Sequence, residues 1–428
     1  MQKFTLIILI LSIMFTPVFS QQEDEIELLK KELEKLKEKV VKIEETTSKK
    51  EQEDELQKLL EEASRLKTVK KKKISGLGKK FKSGTRQQSG VNPNISLGGD
   101  FFAAMSSSKD NFITEPSDVS YGNNRFELKE IELSVNSALD PFTRGKTHIS
   151  FTEEAICVEE AYLEWLNLPA RMNLKMGLFN AEYGILNRYH DHALPQFDRP
   201  KVLVNMFSNA SVGGFGLGGN FLLPCLLFAD ASSFDATIIK GGNDHSFTSQ
   251  GKYNLQYVGH FNNYYDINKD TYFELRFSGV AGKNDSTEKY MSYIGDLGFV
   301  VKWTPIGRSK YRTIDWKTEI LFSNRETDNG NIFAKGFYTS LQNKLNARYW
   351  VSCRIGYSEL PFDNKQHEWD ITTTLDYWQS EFVFLRIQYQ YSKRDFSDYL
   401  NHTGPYPSEH TLILQVNWAM GPHKHEAY

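Results

Sequence analysis

Cysteine is scarce in this 428-residue chain. Its three cysteines, Cys157, Cys225 and Cys353, are odd in number and far apart. That count and spacing exclude a disulfide framework and the close pairs of a zinc module. Net charge is also small, at −3, so nothing in the overall balance calls for a nucleic-acid partner. Long apolar runs are missing beyond the N-terminus, and no later segment reaches the roughly 18 apolar residues that a membrane helix needs. The hydrophobic fraction of 40% is low for a bundle of such helices. Catalytic signatures are lacking as well, with neither a Gly-x-Ser-x-Gly elbow nor a His-Glu-x-x-His helix. Gly214-x-Gly216-x-x-Gly219 has the letters of a dinucleotide fingerprint. The residues after it, Asn220 to Pro224, read as extended rather than helical, so the match fails its structural condition. No enzyme and no cofactor are expected.

What the chain does contain is aromatic residues, 13% with 29 Phe and 21 Tyr, and segments that alternate. The alternation is clearest late. In 411–418, Leu412, Leu414, Val416 and Trp418 alternate with Thr411, Ile413, Gln415 and Asn417. In 383–391, Val383, Leu385, Ile387 and Tyr389 alternate with Phe384, Arg386, Gln388 and Gln390. One apolar and one polar face over about ten residues is the pattern of a transmembrane β-barrel. About sixteen such strands are expected, and on this reading they occupy residues 92–428. Short connections follow even-numbered strands and longer polar ones mostly follow odd-numbered strands. That parity puts both barrel ends on the side of the short turns, the periplasmic side of a bacterial barrel. From residue 95 onward only strands and turns are expected, and the pattern is least clear over 202–240.

Three segments precede the barrel. Residues 1–20 have a positive start and a short apolar core, as in a secretory signal peptide cut after Ser20. Residues 21–73 are rich in Glu, Lys and Leu, and Ile26, Leu29, Leu33, Leu36, Val40 and Ile43 occupy a and d positions of a coiled coil. Glu25, Glu32 and Lys39 at g are opposite in sign to Lys30, Lys37 and Glu44 at the following e positions, which favours parallel self-association. Residues 74–91 form a basic linker whose cations would be solvated or would contact lipid headgroups or cell-wall polymer.

A long polar connection follows the strand near 176. Its residues Arg188, His190, His192, Asp198, Arg199 and Lys201 are punctuated by Pro195 and Pro200. A connection of that length in a compact domain is more often functional than not. The spacing Asn187-x-x-His190-x-His192-x-Leu194-Pro195-x-x-Asp198-Arg199-Pro200 after Gly177-x-Phe179 resembles a family of bacterial outer-membrane porins. These are the porins related to the phosphate-selective porins O and P. The stretches 125–133, 158–162 and 175–179 look like that family's early strands. Such barrels usually end in an aromatic residue, commonly Phe; this chain ends in a different aromatic, Tyr428, after a polar tail. The resemblance implies that the 181–208 loop folds into the barrel and makes its constriction, with those six residues at the narrowest point; the alternative is an external loop that covers the barrel mouth.

Selectivity is expected to follow the signs of lumen-facing groups. The alternation points Arg276, Lys302, Lys317, Arg348, Arg354 and Arg386 inward, together with Glu130, Glu132, Glu274, Asp296, Asp315, Glu319, Asp370 and Asp376. This mixture argues against a phosphate-specific basic ladder. The expected function is a passive outer-membrane diffusion channel for small hydrophilic solutes or ions, mildly anion-preferring. Its partners would be outer-membrane lipid and copies of itself, as a trimer. The alternative is a structural barrel that tethers the envelope through its coiled coil. His190 and His192, with Asp191 and Asp198 nearby, have donor types that suit zinc, but loop histidines more commonly bond or line a pore, so no metal is assigned.

Overall fold

The computed structural model describes residues 93–107, 125–208, 211–242, 245–252, 254–395 and 408–421. The signal-peptide, coiled-coil and linker expectations, and Tyr428, lie outside the described residues. Among the described residues sixteen strands follow one another. The first eight are β1 (Asn94–Ser106), β2 (Arg125–Ala138), β3 (Thr143–Phe151), β4 (Ile156–Leu168), β5 (Met172–Asn180), β6 (Gly213–Leu223), β7 (Ala231–Lys240) and β8 (Leu255–Asn268). The second eight are β9 (Thr271–Lys283), β10 (Met291–Trp303), β11 (Thr313–Thr327), β12 (Gly330–Lys344), β13 (Tyr349–Leu360), β14 (Asp363–Trp378), β15 (Val383–Arg394) and β16 (Glu409–Met420). Each pairs antiparallel with the next, and β1 closes the barrel on β16, from Leu97↔Met420 to Ser106↔Thr411. Closure pairs the backbone groups that an open edge would leave exposed.

The side chains sort by face as the alternation requires. On β16, Leu412, Leu414 and Val416 are exposed while Thr411, Gln415 and Asn417 are buried. On β15, Leu385, Ile387 and Tyr389 face out and Arg386, Gln388 and Gln390 face in. An apolar exterior around a polar interior is the reverse of a water-soluble fold, and it makes lipid the medium of the outer wall. Aromatic pairs mark both margins of this wall. Tyr349 and Tyr377 lie 5.2 Å apart near the short-turn end, and Trp369 and Tyr391 lie 5.2 Å apart toward the other end. From Tyr377 to Trp369, strand rise and a tilt near 40° give a height of roughly 20 Å, the order of an apolar band.

Two expectations are corrected. The region after 180 is not all strand and turn: a buried helix, α1 (Lys201–Phe207), precedes β6. Pro200 enters it, and the N–H of Ser208, at positive φ, bonds Val204 O and closes it. β6 is accordingly centred later than its alternation suggests, and Gly214-x-Gly216-x-x-Gly219 lies within that strand. The second correction concerns 324–331 and 359–366, which read in the sequence as longer polar connections and are tight hairpins. β11 and β12 pair up to Thr327↔Gly330, and β13 and β14 up to Leu360↔Asp363. Above the lipid band both faces meet water, so alternation fades while backbone pairing continues.

Candidate functional site

The described part of the connection between β5 and β6, residues 181–208 and 211–212, turns inward and is held by the wall on several sides. Its first turn docks on β9 and β11: the N–H of Gly184 donates to Ser278 Oγ (2.8 Å), and that of Ile185 donates to Glu319. Gly184 has φ +55°, and a Cβ there would collide with the Glu319 carboxylate, so this approach requires glycine. The middle of the loop meets β2 and β4. His190 Nδ1 lies 2.7 Å from Glu159 and 3.4 Å from Glu132, and His192 Nδ1 lies 3.3 Å from Glu130. The last part reaches β13 and β15. Phe197 N–H donates to Gln388 (2.8 Å), Gln196 donates to Ser352 (3.1 Å), and Asp198 accepts from Arg354, Gln388 and Gln390.

Packing explains why the loop stays in. Tyr183, Ile185, Leu186, Tyr189, Leu203 and Met206 form one buried cluster with inward residues of the wall, among them Val280, Ile294 and Leu321. Phe197 forms a second with Phe102, Ala104 and Ile413, its ring 4.9 Å from that of Phe102. Burying one such side chain contributes about 1.5–3 kcal/mol. Apolar residues on the inner face of a barrel that otherwise points polar groups inward therefore mark where the loop docks.

The six loop residues expected at the constriction have different surroundings. Arg188 bonds Glu182 and lines a cavity of about 230 Å³ between the loop and β6–β9. His190 and His192 are pressed against wall carboxylates. Burial opposes charge on His190, but hydrogen bonds to Glu159 and Glu160 and the charge of Glu132 outweigh it and raise its pKa to about 10. Asp198 is held below the usual carboxylate range: Arg354, Lys201 and the Gln388 hydrogen bond together override its burial. Arg199 is used within the loop, on Asp191 (3.2 Å) and on the carbonyls of Leu186 (3.2 Å) and Tyr189 (2.6 Å). Lys201 is buried at the start of α1.

The six wall cations divide in the same way. Arg276 lines the cavity, 2.5 Å from Glu274 and 3.2 Å from the carbonyl of Gly184. Lys302 and Lys317 share the inward parity of β10 and β11, and Lys317 pairs with Asp315 at 2.5 Å. Arg354 is fully buried against Asp198 (3.0 Å) and Asp370 (3.4 Å). Arg386 grips Asp376 (2.8 and 3.0 Å) and donates to Leu194 O (3.2 Å). Arg348 has the right parity but sits in the exposed turn before β13, bonded to Tyr377 Oη (3.3 Å), because the strand begins one residue later.

Two β-bulges add groups that simple alternation hides. The β1–β2 register shifts at Asp100/Phe101, skipping Lys129, whose Nζ lies 2.7 Å from Phe197 O. The β3–β4 register shifts at His148/Ile149, skipping Glu159, so that adjacent Glu159 and Glu160 both reach His190. The spacing Phe126, Leu128, Ile131, Leu133, with a step of three positions rather than two from Leu128 to Ile131, is the sequence trace of the first bulge.

A closed sixteen-strand barrel with a lipid-facing exterior and a loop folded across a polar lumen defines a transmembrane β-barrel whose bore is narrowed from within. Known structures share that fold. The anion-selective porin of Comamonas acidovorans matches with a TM-score of 0.53 at 9% identity, covering 77% of this chain and 100% of that one. OmpT, an outer membrane protein of Vibrio cholerae in its trimer form, matches with a TM-score of 0.52 at 8% identity, covering 77% and 99%. At such identities the likeness is one of fold. No family model matches this chain. An uncharacterized protein of Aquifex aeolicus (strain VF5) is 29% identical over 126 residues, which are 29% of this chain and 26% of that relative.

Proposed function

We propose that the protein is a passive diffusion channel of the bacterial outer membrane for small hydrophilic solutes or ions, with no catalytic step. The observation that carries this reading is the cavity left beside the in-folded loop, lined by charged and polar groups of the loop and of β6–β9. A sixteen-strand barrel is wide enough for an aqueous bore, and the loop reduces that bore to a gap on one side. Arg188, Arg276, Glu182, Asp235 and His260 line it, with Arg188 bonded to Glu182. Lys175 stands next to Glu182 at 3.6 Å. Arg188 and Arg276 balance Glu182 and Asp235 in the lining, and Lys175 and Glu274 beside them add one charge of each sign, so we assign no strong charge preference to the gap. Short-range charges in a poorly screened gap bias ion flow more than charges at a wide mouth.

The same reading makes the working form a homo-trimer, with residues 21–73 as a periplasmic coiled coil exported behind the 1–20 signal peptide. The resemblance to the porins related to O and P supports the loop's role, and the mixed signs of the lumen charges argue against phosphate specificity. Single-channel recording of the purified protein in planar bilayers tests the proposal. Stepwise, ohmic conductance is expected. A correctly folded protein that inserts without conducting would contradict it and favour an envelope-tethering barrel.

A further inference from the structure

We propose that Glu132, His148 and His190 bind a divalent transition-metal ion, zinc by their donor set, and that this ion clasps the in-folded loop to β2 and β3. All three side chains are buried, and their ligand atoms lie within 4.8 Å of one another. His148 Nδ1 is 2.8 Å and His190 Nδ1 is 3.4 Å from Glu132 oxygens, and the two imidazole rings are 4.5 Å apart. Zinc bonds of about 2.0–2.1 Å in a tetrahedron put neighbouring donors about 3.3 Å apart. Small rotations of two rings therefore complete the site. Two imidazoles and a carboxylate are a zinc set that leaves one position for water or a further carboxylate.

The surroundings fit the same purpose. Glu132 and His148 come from adjacent paired strands of a closed wall, so two of the three ligands are fixed before the loop arrives. The loop contributes only His190, which gives up a proton as the ion binds. Glu160 lies 3.4 Å from its Nε2, the nitrogen opposite the one that meets the ion. Glu159 lies 2.7 Å from Nδ1 itself, where it can supply the further carboxylate, and Glu130 (3.3 Å) holds the neighbouring His192. Carboxylates at that distance orient ligand imidazoles and tighten metal sites. Read from sequence alone, the donors near His190 and His192 are Asp191 and Asp198. The fold sends these instead to Arg199 and Arg354, and supplies donors from the wall. The metal proposal is independent of whether the barrel conducts.

The test uses the full chain in detergent, stripped with chelator, incubated with zinc chloride and desalted. Elemental analysis should find about one zinc per chain, and X-ray absorption at the zinc edge should show scattering from imidazole. Affinity should fall by more than about 100-fold in His148→Gln and Glu132→Gln, beyond the loss from an outer partner. The rim variant His367→Gln should keep its zinc. A wild-type protein that retains no zinc, or whose bound zinc shows no imidazole, would overturn the proposal. So would a folded His148→Gln variant with unchanged affinity. The spectrum of the unaltered protein decides the matter even if the variants fail to fold.

Discussion

Arg276 and Arg354 are both inward-pointing arginines on barrel strands, yet they stand on opposite sides of one loop and do different things. The Arg276 side chain keeps 20% of its surface exposed and lines the gap along β6–β9, whereas that of Arg354 keeps none and is locked onto Asp198. Pointing inward is a property of the strand. Facing the cavity is decided by the loop, which packs onto the side of β13–β15 and leaves a gap along β6–β9.

The largest expected effect comes from abolishing the difference. Deleting residues 185–199 removes this packing and should raise single-channel conductance severalfold, bringing Arg354 and Arg386 into contact with solution. Unchanged conductance in a folded deletion variant would place the loop outside the conduction path. Next in size is Asp198→Ala, which leaves buried Arg354 only the more distant Asp370 as a charge partner. Stranding one member of a buried pair costs about 3–5 kcal/mol, and a part of that cost should appear as noisy, flickering current and protease sensitivity between 185 and 208. Phe197→Ala should loosen the same segment by a comparable amount, about 3–5 kcal/mol for a buried aromatic. Equal protease resistance in both variants would show that other contacts hold the loop.

Much of this architecture can be read from the chain. The apolar stripe of Leu412, Leu414 and Val416 and the polar row of Arg386, Gln388 and Gln390 each define a strand and its two faces, because lipid and lumen impose opposite demands on alternate residues. Other parts are hidden for physical reasons. The partners of Asp198 and His190 lie far along the chain, and a single sequence does not pair them. Lys129 and Glu159 escape alternation because bulges turn them inward. Helix α1 escapes because seven residues buried on all sides show no amphipathic period. Inner apolar residues such as Val280, Ile294 and Leu321 were the available sign that something covers the wall.

Smaller effects sharpen the contrast. Arg188→Glu and Arg276→Glu should shift the reversal potential toward cations under a salt gradient, while Arg386→Gln should alter stability more than selectivity. An equal shift from Arg386→Gln would mean that both sides conduct. The smallest effect concerns pH. Asp198 has a depressed pKa in the folded loop, so its contribution to docking is fully present above the ordinary aspartate value of about 3.9 and is lost as pH falls through the lower folded value. Loop protection from protease should therefore persist from neutral pH to about 4 and decline only below it. Loss between pH 7 and 5 would point to another titrating group.

The most direct test of the one-sided pore is cysteine accessibility during single-channel recording, in a background lacking Cys157, Cys225 and Cys353. Ser233→Cys lies along the gap and Ser352→Cys on the packed side, where Gln196 caps it. A charged, water-soluble thiol reagent should reduce the current promptly through Ser233→Cys and leave Ser352→Cys unaltered. Block at Ser352→Cys with none at Ser233→Cys would contradict the account.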